Sequence, residues 1–169
     1  LTIYADYCTA MDEDFIPTGE IHSVKDTAID FSKTRRLRDQ LQKTNLSGGF
    51  NINYILRKEE NNLIHAADLY DRNSGRLMEV WTTQPGLQLY TANWLDGSMI
   101  GHQGIAYQKR CAFCLETQHY PDWPNQADFP SVVLNPNETY QSKTSFKFSS
   151  QRLNLKGPVP IGCDLKSVL

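Results

Sequence analysis

Residues 76–93 read RLMEVWTTQPGLQLYTAN, and this stretch decides the fold class. Its two halves, RLMEVWTT and LQLYTAN, are rich in the aromatic and β-branched residues that favour strands. Pro85-Gly86 between them is a turn signal that breaks any longer helix. The stretch therefore predicts two short strands joined by a tight connection.

Working outward, the same strand composition recurs along the chain, and turn signals such as Ser47-Gly48-Gly49 and Asp96-Gly97 separate the segments. The spacing predicts a mainly β chain, a meandering antiparallel sandwich. One segment, residues 30–43, predicts a short surface helix, capped by Asp30 or Ser32. The other predicted strands are LTIYADY (1–7), FNINYILRK (50–58), NLIHAADLY (62–70), RCAFCLETQ (110–118) and TYQSKTSFKFS (139–149).

Length and charge exclude several classes of protein. The 169 residues suit one domain with a real core. The formal net charge of -2 gives no basic face, so we expect no nucleic-acid partner. No apolar run reaches the roughly 20 residues of a membrane helix, and the start lacks the features of a secretory signal. We expect no membrane partner either.

The cysteines and the glycosylation sequons favour different cellular locations for the protein. Four cysteines are too few for a disulfide scaffold and favour the reducing cytoplasm. Two glycosylation sequons, at Asn45 and Asn137, leave secretion as the alternative.

Cys111 and Cys114 form a Cys-x-x-Cys pair that could suggest zinc. On a strand, however, residues three apart point to opposite faces, so we predict free thiols and no metal site.

The segment CLETQHYPD (114–122) places a carboxylate, an amide and an imidazole at a strand end. Strand alternation puts Glu116 and Gln118 on one face and His119 on the other, so Glu116 and His119 are not automatically a catalytic pair. From the residues alone, a solvated strand end remains an open interpretation.

Three longer phrases resemble the aldose 1-epimerase (galactose mutarotase) family: residues 16–31, 73–98 and 114–149. The resemblance covers most of residues 10–149 and corresponds to the C-terminal half of that family. It implies that residues 1–149 are part of a large antiparallel β-sandwich of the supersandwich type, galactose mutarotase-like. The last stretch changes character, with two prolines, two glycines and no clear period, so we expect residues 150–169 to be an appended tail.

The resemblance also implies a function: interconversion of the α and β anomers of hexoses such as galactose and glucose, without a cofactor. The family's general base falls on Glu116 in the LETQ phrase. A sugar-binding glutamine falls on Gln88 in the PGLQLY phrase. A base works best when its proton affinity matches the working pH, so we expect Glu116 to be partly buried.

The sequence departs from the family in two respects. Where the family has a sugar-binding aspartate followed by histidine, this chain has Asn51 and Ile52, so an acceptor-only carboxylate becomes an amide with one acceptor and one donor group. The family's acid histidine belongs to an N-terminal half that this sequence lacks. None of the chain's four histidines occupies that position, and the one nearest in sequence to Glu116 is His119. The other three are His22, His65 and His102.

These departures leave three hypotheses. The first is an epimerase completed by an N-terminal half, present as a companion polypeptide, because a half sandwich would expose strand edges and apolar faces. The sequence begins with Leu1 rather than Met, and this also leads us to expect a missing N-terminal part. The second is a non-catalytic sugar-binding protein that keeps Gln88 and Glu116. The third is a structural or storage protein with another ligand in the cleft.

Overall fold

The computed structural model describes residues 1–44, 48–57 and 63–151. Within that part the chain forms nine strands, one α-helix and two short 3-10 helices, at His102–Gly104 and Trp123–Asn125. The helix, α1, spans Leu37–Lys43. The strands are β1 (Thr2–Ile3), β2 (Ala5–Met11), β3 (Pro17–Ser23), β4 (Asn51–Leu56), β5 (Ile64–Tyr70), β6 (Arg76–Thr82), β7 (Gly86–Tyr90), β8 (Cys114–Gln118) and β9 (Thr144–Ser150).

The strands form two sheets, and every pair in them is antiparallel. One sheet has the order β1-β5-β6-β9, and the other has the order β3-β2-β4-β7-β8. The predicted mainly β, antiparallel fold is confirmed. The order is not a simple meander, because β4 pairs with β7 and β6 pairs with β9. The Pro85-Gly86 connection therefore carries the chain from one sheet to the other.

A single hydrophobic cluster joins the two sheets. Strand alternation turns Ile52, Tyr54 and Leu56 of β4 inward, together with Leu87 and Leu89 of β7. The other sheet contributes a matching inward row, and burial of these side chains is the main stabilising term of the fold. That row is Ile3, Ala67 and Val80.

Two local predictions needed correction. The helix begins at Leu37 rather than near residue 30, because the Asp30 carboxylate accepts hydrogen bonds from the Ser32 backbone N–H (2.9 Å) and hydroxyl (2.6 Å) and so closes a turn. Leu37 and Leu41 are buried, so the helix packs on the core instead of lying on the surface. The sequence also did not predict β3, where Pro17 fits because the strand lies at a sheet edge.

Several further predictions concern the ends and loops of the chain. Asn137 lies exposed in a turn, whereas the Asn45 sequon lies outside the described residues. Ser150 ends β9, and the rest of the predicted tail, from residue 152 onward, is also outside them. Among the described helices, none has the length and apolar character needed to cross a membrane.

Gly86 allows the closest approach between β4, β7 and β8. Asn53 of β4 is only 2 % exposed, and its amide lies against the Gly86 backbone. A Cβ added at position 86 would sit 2.6 Å from the Asn53 Oδ1 and 3.1 Å from the backbone oxygen of Gln118. Both neighbours are held in the sheet, so a larger residue forces the strands to shift.

We therefore predict that Gly86→Ala lowers the free energy of unfolding of the full-length protein by about 1–3 kcal/mol, the usual cost of overpacking. Denaturant titration followed by circular dichroism measures it. Gly48→Ala is the matched control, because a Cβ there meets only the Phe15 ring at 3.7 Å. Equal stability of the two variants would show that the contact around Gly86 is not constraining.

Candidate functional site

The five-stranded sheet has one face in the hydrophobic core, and its other face, which points away from the core, is polar. Gln88 of β7 lies directly opposite Asn53 of β4 on one side and opposite Glu116 of β8 on the other. Directly opposed residues project from the same face of a sheet. Asn51 and Gln118 share this face through strand alternation. The structure therefore brings together the three site residues predicted from the sequence, Glu116, Gln88 and Asn51.

Side-chain amides on this face are linked by hydrogen bonds. The Gln88 Nε2 donates to the Asn51 Oδ1 at 2.8 Å. The Gln118 Nε2 donates to both the Gln88 Oε1 and the Asn53 Oδ1, each at 3.1 Å. The Asn53 Nδ2 donates to the Thr9 hydroxyl oxygen at 3.3 Å. Gln88 is therefore held from both sides before any ligand arrives.

The sequence did not identify Gln118, Asn53 or Thr9 as site residues. Alternation already placed Gln118 on the face of Glu116, and the same period in the phrase Asn51-Ile52-Asn53 could have placed Asn53 beside Asn51. Thr9 had no such signal, because its place depends on the pairing of β2 with β4.

A buried polar cluster fixes the start of β4 and thereby the position of Asn51. The backbone N–H of Phe50 donates to the Thr91 hydroxyl oxygen at 2.9 Å, and the Asn93 Nδ2 donates to the Phe50 carbonyl at 2.7 Å. The Thr91 hydroxyl also donates to the Asn93 Oδ1 at 2.6 Å. All three residues are buried, so these satisfied bonds favour a single arrangement.

Glu116 itself is exposed in this chain, so the expectation of partial burial is wrong for the described residues taken by themselves. Its neighbour along β8 is Cys114. Partial desolvation, followed by the negative charge of Glu116 and a hydrogen bond to its carboxylate, raises the pKa of the Cys114 thiol. The thiol therefore remains protonated beside the carboxylate at neutral pH.

None of the four histidines occupies a strand position on the polar face. His119 lies one residue beyond the end of β8, so its predicted orientation away from Glu116 stays a prediction. His22 is exposed and bonded to Glu20, and His102 is exposed at the start of the His102–Gly104 3-10 helix. His65 belongs to the other sheet, where its ring stacks on Trp81 with the centroids 4.2 Å apart. The described residues thus place no imidazole next to Glu116.

The cysteine pair has a different setting from the one assumed. Cys114 begins β8, while Cys111 lies in the turn before it, so strand alternation explains the orientation of Cys114 only. Both are free thiols, and the absence of a metal site at this pair stays a prediction.

A second group of potential metal ligands lies on the four-stranded sheet, where ligand atoms of His65, Asp68 and Glu79 all fall within 4.8 Å of one another. The protein already supplies partners to both carboxylates. Asp68 accepts from the Tyr4 hydroxyl and contacts the His65 ring, and Glu79 pairs with Lys147. Tyr4, Asp68 and His65 are thus linked by hydrogen bonds, and Glu79 is paired separately with Lys147.

Two open cavities lie elsewhere on the described surface. One, of about 320 Å³, is lined by residues of α1 and by Arg110. The larger, of about 650 Å³, lies between Gln84, His119 and the loop of residues 131–143. Neither is lined by Glu116.

Comparisons with known proteins agree with this geometry. Residues 1–147 match the family model described as aldose 1-epimerase. Galactose mutarotases from Bos taurus and Homo sapiens are each 46 % identical, over 149 and 151 residues, and the match covers 88 % of this chain. It covers 43 % of each relative, so the chain spans less than half the length of these curated proteins.

Solved structures give the same result for the fold. An aldose epimerase homologue from C. elegans superposes with a TM-score of 0.80 at 26 % identity, over 89 % of this chain and 45 % of that one. A galactose 1-epimerase from Lactobacillus acidophilus, at 23 % identity, superposes with a TM-score of 0.64 over 89 % of this chain and 43 % of that one, a likeness of fold. With a family match that runs from residue 1 to residue 147 and a polar face that unites Glu116, Gln88 and Asn51, this chain belongs to the aldose 1-epimerase family.

Proposed function

We propose that the full-length protein containing this chain is an aldose 1-epimerase that interconverts the α and β anomers of hexoses such as galactose and glucose. The observation that carries the proposal is the pairing of Glu116 with Gln88 across β8 and β7, on a face whose other side chains are hydrogen-bonding amides. Such a face suits a ligand that carries many hydroxyl groups.

Glu116 is the proposed general base. Its carboxylate takes the proton from the C1 hydroxyl while an acid protonates the ring oxygen, so the C1–ring oxygen bond breaks and an open-chain aldehyde forms. Rotation of the aldehyde and ring closure, with the two proton transfers reversed, gives the other anomer. No atoms are gained or lost, and no cofactor is needed for these steps.

Gln88 and Asn51 are the proposed sugar-binding residues. Gln88 is half-buried, and its amide is already held by Gln118 and Asn51, so little rotamer entropy is lost when it binds a ligand. An amide can both donate to and accept from hydroxyls. The pair therefore orients the ring relative to Glu116.

The acid is proposed to come from the rest of the protein. The reaction needs a proton donor at the ring oxygen, and none of the chain's four histidines occupies a strand position on the face of Glu116. The exposure of Glu116 supports the same proposal, because a proton-transfer site works better when it is covered and water is excluded.

An apolar face on β9 supports a companion half of the sandwich. Phe146 and Phe148 pair with Val80 and Met78 and so project from the core side of their sheet. They remain 49 % and 73 % exposed. Apolar side chains on a core-facing side are normally covered. We propose that an N-terminal half, continuous with the chain or present as a companion polypeptide, covers them.

A second candidate function is sugar binding without turnover. Asn51 favours it, because a charged hydrogen bond made neutral weakens sugar binding by about 1–2 kcal/mol. Polarimetry of fresh α-galactose or α-glucose with the full-length protein separates the two functions. If the protein binds the sugar but does not accelerate mutarotation over buffer, the epimerase hypothesis fails and sugar binding without turnover is the function.

We predict that Glu116→Gln in the full-length protein lowers the kcat of mutarotation by about 10²–10⁴-fold, since an amide cannot take the C1 proton. Polarimetry measures the rate. Glu20→Gln is the matched control, because Glu20 is an exposed glutamate on the opposite face of the same sheet. If both variants kept the parent rate, Glu116 would not be the base.

We predict that Phe148→Ala lowers the free energy of unfolding of the full-length protein by about 3 kcal/mol, because the covered ring leaves a cavity when it is removed. Thermal and denaturant unfolding measure it. Lys147→Ala is the control on the opposite face of β9, where the exposed Lys147 pairs with the half-buried Glu79 and contributes about 1 kcal/mol or less. A Phe148→Ala cost below about 0.5 kcal/mol would contradict a covered face, because that is the range of ordinary surface substitutions.

A further inference from the structure

The hydrogen bonds of the polar face have a direction. A side-chain amide has one acceptor oxygen and one donor nitrogen, so the orientation of one amide restricts that of the next. Gln118 uses its nitrogen on two neighbours, the Oδ1 of Asn53 and the Oε1 of Gln88. The oxygen of Gln88 is thereby engaged on the β8 side, and its nitrogen is directed towards β4.

The direction continues to Asn51. The nitrogen of Gln88 donates to the Asn51 Oδ1 at 2.8 Å, so the oxygen of Asn51 is engaged within the protein. The Asn51 nitrogen has no hydrogen bond within the described part of the chain, so it offers a ligand both of its donors, whereas the oxygen keeps one of its two lone pairs. At the far end, Asn53 is 2 % exposed, packs against Gly86 and is bonded to both Gln118 and Thr9, so its amide can reverse only together with theirs.

We propose that Gln118 is the positioning residue of the site: it sets the orientation of Gln88 and, through it, makes Asn51 a hydrogen-bond donor to the sugar. This inference rests on the proposed function, because it assumes that the ligand is a hexose bound on this face. It adds Gln118 to the proposed site and specifies the direction of the hydrogen bond between Asn51 and the sugar. The hydroxyl that meets Asn51 accepts a hydrogen bond, and its own proton is donated elsewhere.

The direction of this hydrogen bond distinguishes the site from one with a carboxylate at position 51. A carboxylate only accepts, so it requires the sugar hydroxyl as a donor. Fluorine in place of that hydroxyl cannot donate at all and keeps only a weak acceptor. With Asn51 as donor, the fluorinated sugar loses little. With an aspartate at position 51, it loses a charge-assisted hydrogen bond, which is about twice as strong as a neutral one.

Gln118→Glu is the substitution that reverses the direction. A glutamate has the same length but only accepts, so Gln88 must turn its nitrogen towards it and its oxygen towards Asn51. Asn51 then donates to Gln88 and presents its own oxygen to the ligand. The Thr9 hydroxyl can donate as readily as it accepts, so Asn53 turns without leaving an unpaired group.

The experiment measures KM and kcat for galactose and glucose, and for their monofluorinated analogues at each non-anomeric position, with the full-length protein. Fluorination at the position facing Asn51 is expected to raise KM by about threefold or less in the parent protein, and by tenfold or more in Asn51→Asp and Gln118→Glu. The kcat for unmodified sugar is expected to change less than KM in Gln118→Glu, because Gln118 does not act on the reacting atoms.

Gln118→Met is the matched control, since it keeps the length of the side chain but removes the hydrogen bonds. It is expected to raise KM for every sugar without the position-specific fluorine penalty. The same fluorine pattern in the parent and in Asn51→Asp would overturn the proposal, even if the Gln118 variants failed to fold. A parent protein that neither binds nor turns over unmodified sugar would instead overturn the proposed function.

Discussion

The antiparallel register of β4, β7 and β8 is the constraint on which the site depends. It sets Asn53, Gln88 and Glu116 in one line across three strands. The side-chain period of a strand is two, so a slip of one residue in β8 would replace Glu116 by a neighbour from the core face. Leu115 of β8, which lies opposite Leu89 and packs against the core, opposes such a slip, because it would turn outward. The core thus maintains the alignment of the polar groups.

Much of the fold could be predicted from composition and alternation, as the strands around LQLY and CLETQ illustrate. The hydrophobic period places Leu87 and Leu89 inside and Gln88 outside without knowledge of the partner strands. The order of the strands could not be predicted in this way. The pairing of β4 with β7 joins residues far apart in sequence, and no turn signal marks it. The same limit explains why β3, which contains a turn-like Pro17-Thr18-Gly19, was missed.

The residues of the candidate site also fall into those that the sequence could predict and those that depend on strand pairing. Glu116, Gln88 and Asn51 were predicted through resemblance to a family, and the structure places them on one face. The support beneath them, from Gln118, Asn53 and Thr9, arises only from pairing between strands. The exposure of Glu116 contradicted the expectation of burial, since what covers a surface depends on parts of a protein beyond the strand itself. Local sequence therefore indicates which groups are present more readily than how they are held.

The connection between β7 and β8, residues 91–113, is long and contains its own turns. A tight hairpin would fix the register of its two strands through the geometry of the turn. Here the register is fixed instead by ladder hydrogen bonds and by the contact at Gly86, so the loop has no part in aligning Glu116 with Gln88. Beyond the buried Thr91 and Asn93, which hold the start of β4, residues can be inserted into or removed from this loop at small entropic cost while the two strands remain in step. The connection can thus change in size and chemistry during evolution without disturbing the alignment of Glu116 with Gln88.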